Sequence, residues 1–245
     1  YFMQTTFRHT LILLVMLAGM ANTSCKKQFH AIPQLSEFVE QDNYGALYDE
    51  IVTNRSHYKE SDLLFYDIIL QSMLNRPEES NRLIALFRKK FVATDSTEYL
   101  LTHTEYKNYV KLDDYGKLKE IGGILIDKYK AYIDSIDYVE LQDDHRIFTL
   151  LEHEPPISVQ KVADTEMNIT KDLAGYTLMT VKAANDSSID FIFDTGANVN
   201  VLTESSAKKL NLRILPNSDI FVMGATGMRN HAHIGFADSL TIGNV

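Results

Sequence analysis

Tryptophan is absent from the sequence, and cysteine occurs once, at Cys25. A single thiol excludes any intramolecular disulfide, so the fold has to be held by packing and hydrogen bonds alone. The aromatic bulk for that packing comes from 13 tyrosines and 12 phenylalanines. Basic charge is scarce as well: 24 Lys and Arg stand against 33 Asp and Glu, for a net charge of −9. That balance argues against a protein held to nucleic acid through a basic face, where phosphate contacts carry the affinity. Its plain consequence is solubility. Long apolar runs are missing too. The most sustained one, residues 11–21, is too short to cross a bilayer comfortably as a helix.

That run has a different meaning at the start of a chain. Arg8 and His9 precede it, small polar residues follow it, and Cys25 comes next. The order basic, apolar, small is that of a secretory signal peptide. A lone cysteine placed directly after such a run resembles the acylated cysteine of a bacterial lipoprotein. Thr23 and Ser24 suit the small positions, and Asn22 departs from the Leu-like residue usual there. The resemblance implies a lipid on Cys25 and a protein tethered to a membrane of the bacterial envelope, facing the periplasm or the exterior. Lys26 and Lys27 would add attraction to lipid headgroups. The alternative is an ordinary signal peptide cut between Ala21 and Ser24, leaving an idle thiol. Residues 1–25 are therefore set apart from the fold.

Residues 26–152 read as helical. "ESDLLFYDIILQSMLN" places Leu63, Leu64, Ile68, Ile69 and Met73 on one broad face, with Ser61 as its expected cap. In "RPEESNRLIALFRKKF", Pro77 suits a first turn and Glu78 and Glu79 the positive helix end. Arg88, Lys89 and Lys90 suit the negative end, and Leu83, Ile84, Leu86 and Phe87 form the stripe to be buried. A third segment aligns Leu118, Ile121, Leu125, Tyr129 and Tyr132, interrupted by Gly122 and Gly123. That pair either breaks the helix or admits a neighbour closely. "EYKNYVKLDDYGKLKEIGGILIDKY" resembles a tetratricopeptide-type hairpin, which implies a helical array able to hold a protein partner. No strict repeat period runs through the segment, so a plain helical bundle is the competing reading. His103, Glu105 and His145 are scattered and are expected at the surface rather than as ligands.

The pattern changes at "LEHEPPISVQKV". Pro155 and Pro156 cannot continue a helix, so residues 153–160 are read as a linker. Strand signals fill residues 161–245. "YTLMTVKAAN" and "SIDFIF" are apolar or alternating, and "NDSS" between them reads as a hairpin turn. The second strand runs directly into Asp194, followed by Thr195, Gly196 and Ala197. A carboxylate at the end of a strand that reads as buried is expensive unless something satisfies or uses it. Gly196 permits a tight turn that could aim a backbone N–H at that carboxylate. Capping of the following segment does not explain Asp194, because Thr203 is better placed to cap "ESSAKKL". Alternation along the strand is expected to turn Asp190 away from Asp194 or to a sheet edge.

Taken together, Phe191, Ile192 and Phe193, the Asp194-Thr195-Gly196-Ala197 turn, the apolar Val199, Val201 and Leu202, and the helix-like "ESSAKKL" resemble the active-site motif of retropepsin-like aspartic proteases. The resemblance implies an all-β acid protease domain behind the helical half, with Asp194, Thr195 and Gly196 as catalytic residues. In that family two such turns face each other and their carboxylates share one proton. The ionised carboxylate activates water and the protonated one donates to the scissile carbonyl. No second Asp-Thr-Gly or Asp-Ser-Gly occurs in the chain, so the mechanism calls for a homodimer with an isologous interface.

Downstream, Phe221, Val222 and Met223 resemble the rising strand of the family's flap. Gly224, Ala225, Thr226 and Gly227 would be its tip and substrate-binding part, and "HAHIGF" its return. His231 and His233 lack a third ligand at zinc spacing, so no metal is expected, and the motif calls for no cofactor. The family's second apolar strand, with its Ile-Leu-Gly-type turn, does not appear before Val245, so the domain is expected to lack its C-terminal part. Two functions follow. One is an aspartic endopeptidase acting on polypeptide. The other is an envelope lipoprotein whose helical array binds protein while the protease-like part is inactive.

Overall fold

The structure is a computed structural model of the chain, and it describes residues 29, 32–161, 163–164, 166–167, 169–194, 200–223 and 229–243. Two compact units divide between Ile157 and Ser158. The combination is α plus β: helices fill the first unit, and short strands with one helix fill the second. Among the described residues no helix is long and apolar enough to cross a membrane.

The first unit contains α1 (Pro33–Glu40), α2 (Tyr44–Thr53), α3 (Glu60–Met73), α4 (Pro77–Lys90), α5 (Asp95–Lys111), α6 (Tyr115–Lys128) and α7 (Ser135–Leu151). Single 3-10 turns lie at Arg55–His57 and Lys130–Tyr132. Local chemistry explains most of the starts. Pro33 and Pro77 open α1 and α4, where a missing N–H costs nothing. Four further starts, those of α2, α5, α6 and α7, are capped by side chains. Asn43 accepts from the Ala46 amide (3.2 Å), Thr94 from Thr97 (3.2 Å) and Asp114 from Lys117 (3.0 Å). Asp134 accepts from both Ile136 (2.8 Å) and Asp137 (3.0 Å). Each such cap contributes about 1 kcal/mol. Asp42, Asn75 and Asp113 take left-handed φ values of 53°, 57° and 51° between helices, a conformation these residue types tolerate.

Each helix packs on the next in sequence, and α3 also touches α5. α3 therefore has neighbours on several sides, and its buried arc is wider than a single stripe. Leu64, Phe65, Tyr66, Ile68 and Leu70 are all buried, while Met73, expected inside, is exposed. The Phe29 and Phe65 rings lie 4.5 Å apart, and Phe87 and Phe91 5.2 Å. Tyr66 is buried with its hydroxyl satisfied by Ser36 (2.8 Å) and by the Ile32 amide and carbonyl (both 3.1 Å). The expected cap Ser61 lies inside α3, which begins after Lys59. Its hydroxyl donates to the Asp62 carboxylate instead (3.1 Å).

α6 runs unbroken through Gly122 and Gly123. A Cβ at Gly122 would stand 3.3 Å from the His145 ring and 3.4 Å from that of Tyr106, so the glycines admit close neighbours from α7 and α5. His145 is thus a packing residue rather than a free surface one. His103 is buried and stacked on Tyr99 at 5.8 Å, and Glu105 binds Arg88 at 2.6 Å. α6 ends at Lys128, short of the expected stripe. Tyr129 and Tyr132 leave the helix and gather on Tyr99 at 5.8 and 5.3 Å.

Two carboxyls of α7 are perturbed. Asp137 is pushed up to about 7 by burial first, and then by its hydrogen bond and proximity to Asp134. Asp144 is also pushed up to about 7, by burial and then by Glu140 and Asp143. Beside it the buried Tyr106 hydroxyl is pushed far up, by burial first and then by Asp144.

The second unit is a set of short antiparallel pairings. β1 (Ile169–Lys171), β3 (Ser188–Ile192) and β8 (Leu240–Ile242) all pair with β2 (Thr177–Ala183). β4 (Arg213–Ile214) pairs with β7 (Gly235–Phe236), and β5 (Ile220–Met223) with β6 (Arg229–Ala232). α8 (Glu204–Lys209) lies between β3 and β4 in the chain. Val181, Ala183 and Leu210 are the buried apolar residues described here.

Two outcomes are expected for the helical unit. Gly122→Val forces a branched side chain against Tyr106 and His145 and should lower its stability by about 1–3 kcal/mol in urea unfolding. Gly45→Ala, with nothing within 4 Å of the new Cβ, should be neutral or mildly stabilising. The second outcome concerns pH. A carboxyl with a raised folded pKa lends stability that is full below the unfolded carboxylate range, about 4, and lost as pH rises through about 7. The unfolding midpoint of this unit should therefore fall from mildly acidic to mildly alkaline buffer, and Asp144→Asn should flatten that dependence.

Candidate active site

The hairpin β2–β3 sets the approach to Asp194. Its turn is Asn185-Asp186-Ser187, closed by the Ala183 amide on the Ser187 carbonyl (2.9 Å) and the Asp186 amide on the Ala183 carbonyl (3.0 Å). Asp186 takes a left-handed φ of 64° and pairs with Lys182 at 2.7 Å. Asn185 Oδ1 accepts from the Ser187 amide at 3.1 Å. The same two side chains reach out of the turn. Asn185 Nδ2 (3.1 Å) and Ser187 Oγ (2.7 Å) both donate to the carbonyl of Lys209, the last residue of α8. A helix leaves its final carbonyls unpaired, and this one is satisfied by the turn. The strand leading into Asp194 and the helix following it are thereby tied together.

From that turn β3 runs along β2 in the register Val181↔Ile189 to Leu178↔Ile192. The Phe193 amide donates to the Thr177 carbonyl at 2.8 Å, and Asp194 follows immediately. Phe193 is 51% exposed, and Asp194 is exposed with it. The buried carboxylate suggested by the apolar strand is therefore not present in the single chain. Ile189 and Phe191 are half-buried on one face of the hairpin, and the strand end emerges into solvent. Asp190, on β3, accepts from the Thr180 hydroxyl of β2 (2.6 Å), and β3 is an edge of its sheet among the described residues. Its offset of four from Asp194 is even, so pleating alone does not separate the two carboxylates as expected.

α8 begins at Thr203, whose Oγ1 accepts from the Ser206 amide at 3.2 Å, the cap its sequence suggested. Glu204 stands in its first turn and Lys208 and Lys209 in its last. Beyond it, Gly235 lets β7 lie against β4: a Cβ there would meet Ile214 Cδ1 at 3.0 Å. Ser218 is fully buried between these strands and the next. Its hydroxyl donates to the Leu215 carbonyl (2.6 Å) and accepts from the Ile234 amide (3.0 Å). Sequence reasoning passed over Asn185, Ser187 and Ser218. Only the turn-forming composition around the first two signalled their role.

The hairpin β5–β6 pairs Phe221 with His231 and Val222 with Asn230. The return is Arg229–Ala232. The rest of the expected return leaves the hairpin, and Gly235 and Phe236 join β4. The Phe221 and His231 rings are 4.4 Å apart, and His233 Nδ1 lies 3.4 Å from Asp219. Among the described residues no group of three or more His, Cys, Asp or Glu is arranged to hold a metal. Thr195, Gly196, the tip residues Gly224, Ala225, Thr226 and Gly227, and Cys25 lie outside the described residues.

Residues 179–245, roughly a quarter of the chain, match a family model described as aspartyl protease. The match begins within β2, spans β3 and Asp194, and supports an aspartyl protease domain with peptidase chemistry over that stretch. No curated protein and no solved structure matches the chain.

Ser218→Ala should leave the Leu215 carbonyl and Ile234 amide without their buried partner, a loss of about 1–3 kcal/mol. The Ile234 amide should then exchange with deuterium markedly faster, while the amides of β2 stay protected.

Proposed function

We propose that the chain is an aspartic endopeptidase in which one Asp194 from each of two copies forms the catalytic pair. The observation that carries this reading is the aspartyl protease match running through β3 and an exposed Asp194. An exposed strand end can be approached by the same residue of a second copy, and two carboxylates at close range share one proton. The ionised member takes a proton from water, whose oxygen attacks the scissile carbonyl. The protonated member donates to the carbonyl oxygen. Thr195 and Gly196 complete the turn around each carboxylate, and Gly224, Ala225, Thr226 and Gly227 form the tip of a hairpin that closes over the substrate. In this reading the helical unit is a tetratricopeptide-like array that presents a partner or substrate. A lipid on Cys25 holds the protein in the bacterial envelope.

One observation favours a second reading, in which the helices bind protein and the protease-like part is idle. An open groove of about 650 Å³ is lined by Leu63 and Leu64 of α3 and Leu83 and Leu86 of α4, with charged residues at its rim. Its volume is in the range of ligand sites.

The experiment that separates the two is cleavage of an unfolded polypeptide. Wild type should cut it best in mildly acidic buffer, and Asp194→Asn should lower the rate by roughly a thousandfold or more with its circular dichroism unchanged. Equal cleavage by both proteins would sink the endopeptidase reading. Full activity in a strictly monomeric sample would sink the pairing of one aspartate per chain.

A further inference from the structure

We infer that His233 is a positioning residue for the hairpin that closes over the substrate. Shared by Asp219 at the base of β5–β6 and Glu204 at the start of α8, its imidazolium ties the hairpin to the helix that follows Asp194. The tie is released when the ring loses its proton. The inference rests on the endopeptidase reading above and names a residue that controls how substrate is held within it. Asp219 precedes β5 and His233 follows β6, one step outside the pair Ile220↔Ala232. Residues opposite each other in an antiparallel pair share a face, and opposite charges at such positions attract. His233 Nδ1 lies 3.4 Å from Asp219 Oδ1.

The second carboxylate belongs to a different element. Glu204, in the first turn of α8, is held below the usual carboxylate range by its hydrogen bond to Lys208 first, then by the Lys208 charge, and also by His233. Lys208 Nζ stands 2.6 Å from Glu204 Oε1. The charged groups that His233 meets from other elements are thus Asp219 and Glu204, with Lys208 paired to the latter. Two residues before it, His231 is engaged with Phe221, ring to ring at 4.4 Å. The ring's charge decides the sign. Protonated, it attracts both carboxylates. Neutral, it leaves them without that attraction. Histidine is the side chain whose charge ordinarily changes between about pH 5 and about 8. The hairpin is therefore held in acid, where a proton-sharing pair of aspartates works, and loosens as the pH rises.

Exposed ion pairs contribute little when both side chains must first be ordered. Here the backbones that carry them are already anchored. Ile234, next to His233, donates its amide to Ser218 Oγ (3.0 Å), and its carbonyl accepts from the Leu215 amide (2.8 Å). Ser218 Oγ in turn donates to the Leu215 carbonyl (2.6 Å). α8 is fixed at its start by the Thr203 cap and at its end by Asn185 and Ser187 on the Lys209 carbonyl. His233 thus joins two anchored pieces at the root of the hairpin.

The test combines amide exchange and cleavage on the full chain. Corrected for intrinsic exchange rates, the β5 and β6 amides of wild type should lose protection about two- to fivefold between about pH 5 and about 8, while those of β2 keep theirs. His233→Gln should show the low protection at both ends of that range, and His233→Lys, whose charge persists, the high protection. Asp219→Asn combined with Glu204→Gln should remove the dependence. With unfolded casein as substrate in acidic buffer, His233→Gln should raise KM about two- to fivefold, and His233→Lys should restore it. Protection in wild type that ignores pH would overturn the inference and leave the endopeptidase reading standing. So would equal losses in His233→Lys and His233→Gln, or a dependence that survives in His233→Gln and vanishes in His231→Gln. Failure of wild type to cut casein, with the exchange pattern as expected, would overturn the endopeptidase reading and with it the positioning role.

Discussion

The sheet that carries Asp194 is organised entirely by β2. β3 lies along one edge of it. β1 and β8 divide the other edge between them, β1 beside Thr177 to Met179 and β8 beside Val181 to Ala183. The ladder bond nearest to Asp194, from Phe193 to Thr177, also ends on β2. A one-residue slip of β3 along β2 would turn Ile189 and Phe191 to the face opposite Met179 and Val181. The position of the carboxylate is therefore a backbone property. It is inherited from one strand and secured at the other end by the turn that caps α8.

The two units achieve order by different means. The helical unit buries aromatic rings against one another and satisfies its helix ends with short polar side chains, so each element is stabilised largely by its neighbours in sequence. The β unit has three buried apolar residues among those described, and it leaves Ile169, Ile192, Ile214, Leu240 and Ile242 substantially exposed. At about 25 cal/mol per Å² of apolar surface, such residues contribute far less than they would if covered. Hydrogen bonds through Asn185, Ser187 and Ser218 therefore matter more to its shape than packing does. The acid preference of the helical unit also runs in the same direction as the chemistry expected of a proton-sharing pair, although the two arise from unrelated carboxyls.

Much of this was readable from the sequence, wherever the cause was local. Pro77, the charged ends of α4, the Thr203 cap, the Asn185 turn and the change of pattern after Leu151 each act within a few residues. The aspartyl protease match was readable for the same reason, because the residues around Asp194 are contiguous in the sequence. What escaped notice depends on partners far away in the chain. Ser61 looks like a cap until α3 begins one residue earlier. His103 and His145 look like surface residues until α5, α6 and α7 close around them. Ser218 gains its role only when Ile234 returns beside it, and Asp194 proves exposed although an apolar strand leads into it.

The pairing of β2 with β8 joins Ala183 to Leu240. That contact spans most of the second unit, while the helices of the first unit make their contacts with the next helix in line. Segments rich in local contacts organise quickly, and those that wait on distant partners organise slowly. A chain also emerges from the ribosome with its N-terminal part first. The helical unit is thus in place while β2 still lacks one of its neighbours. The sheet that leads to Asp194 therefore gains the pairing of β2 with β8 only once the residues of β8 have been made.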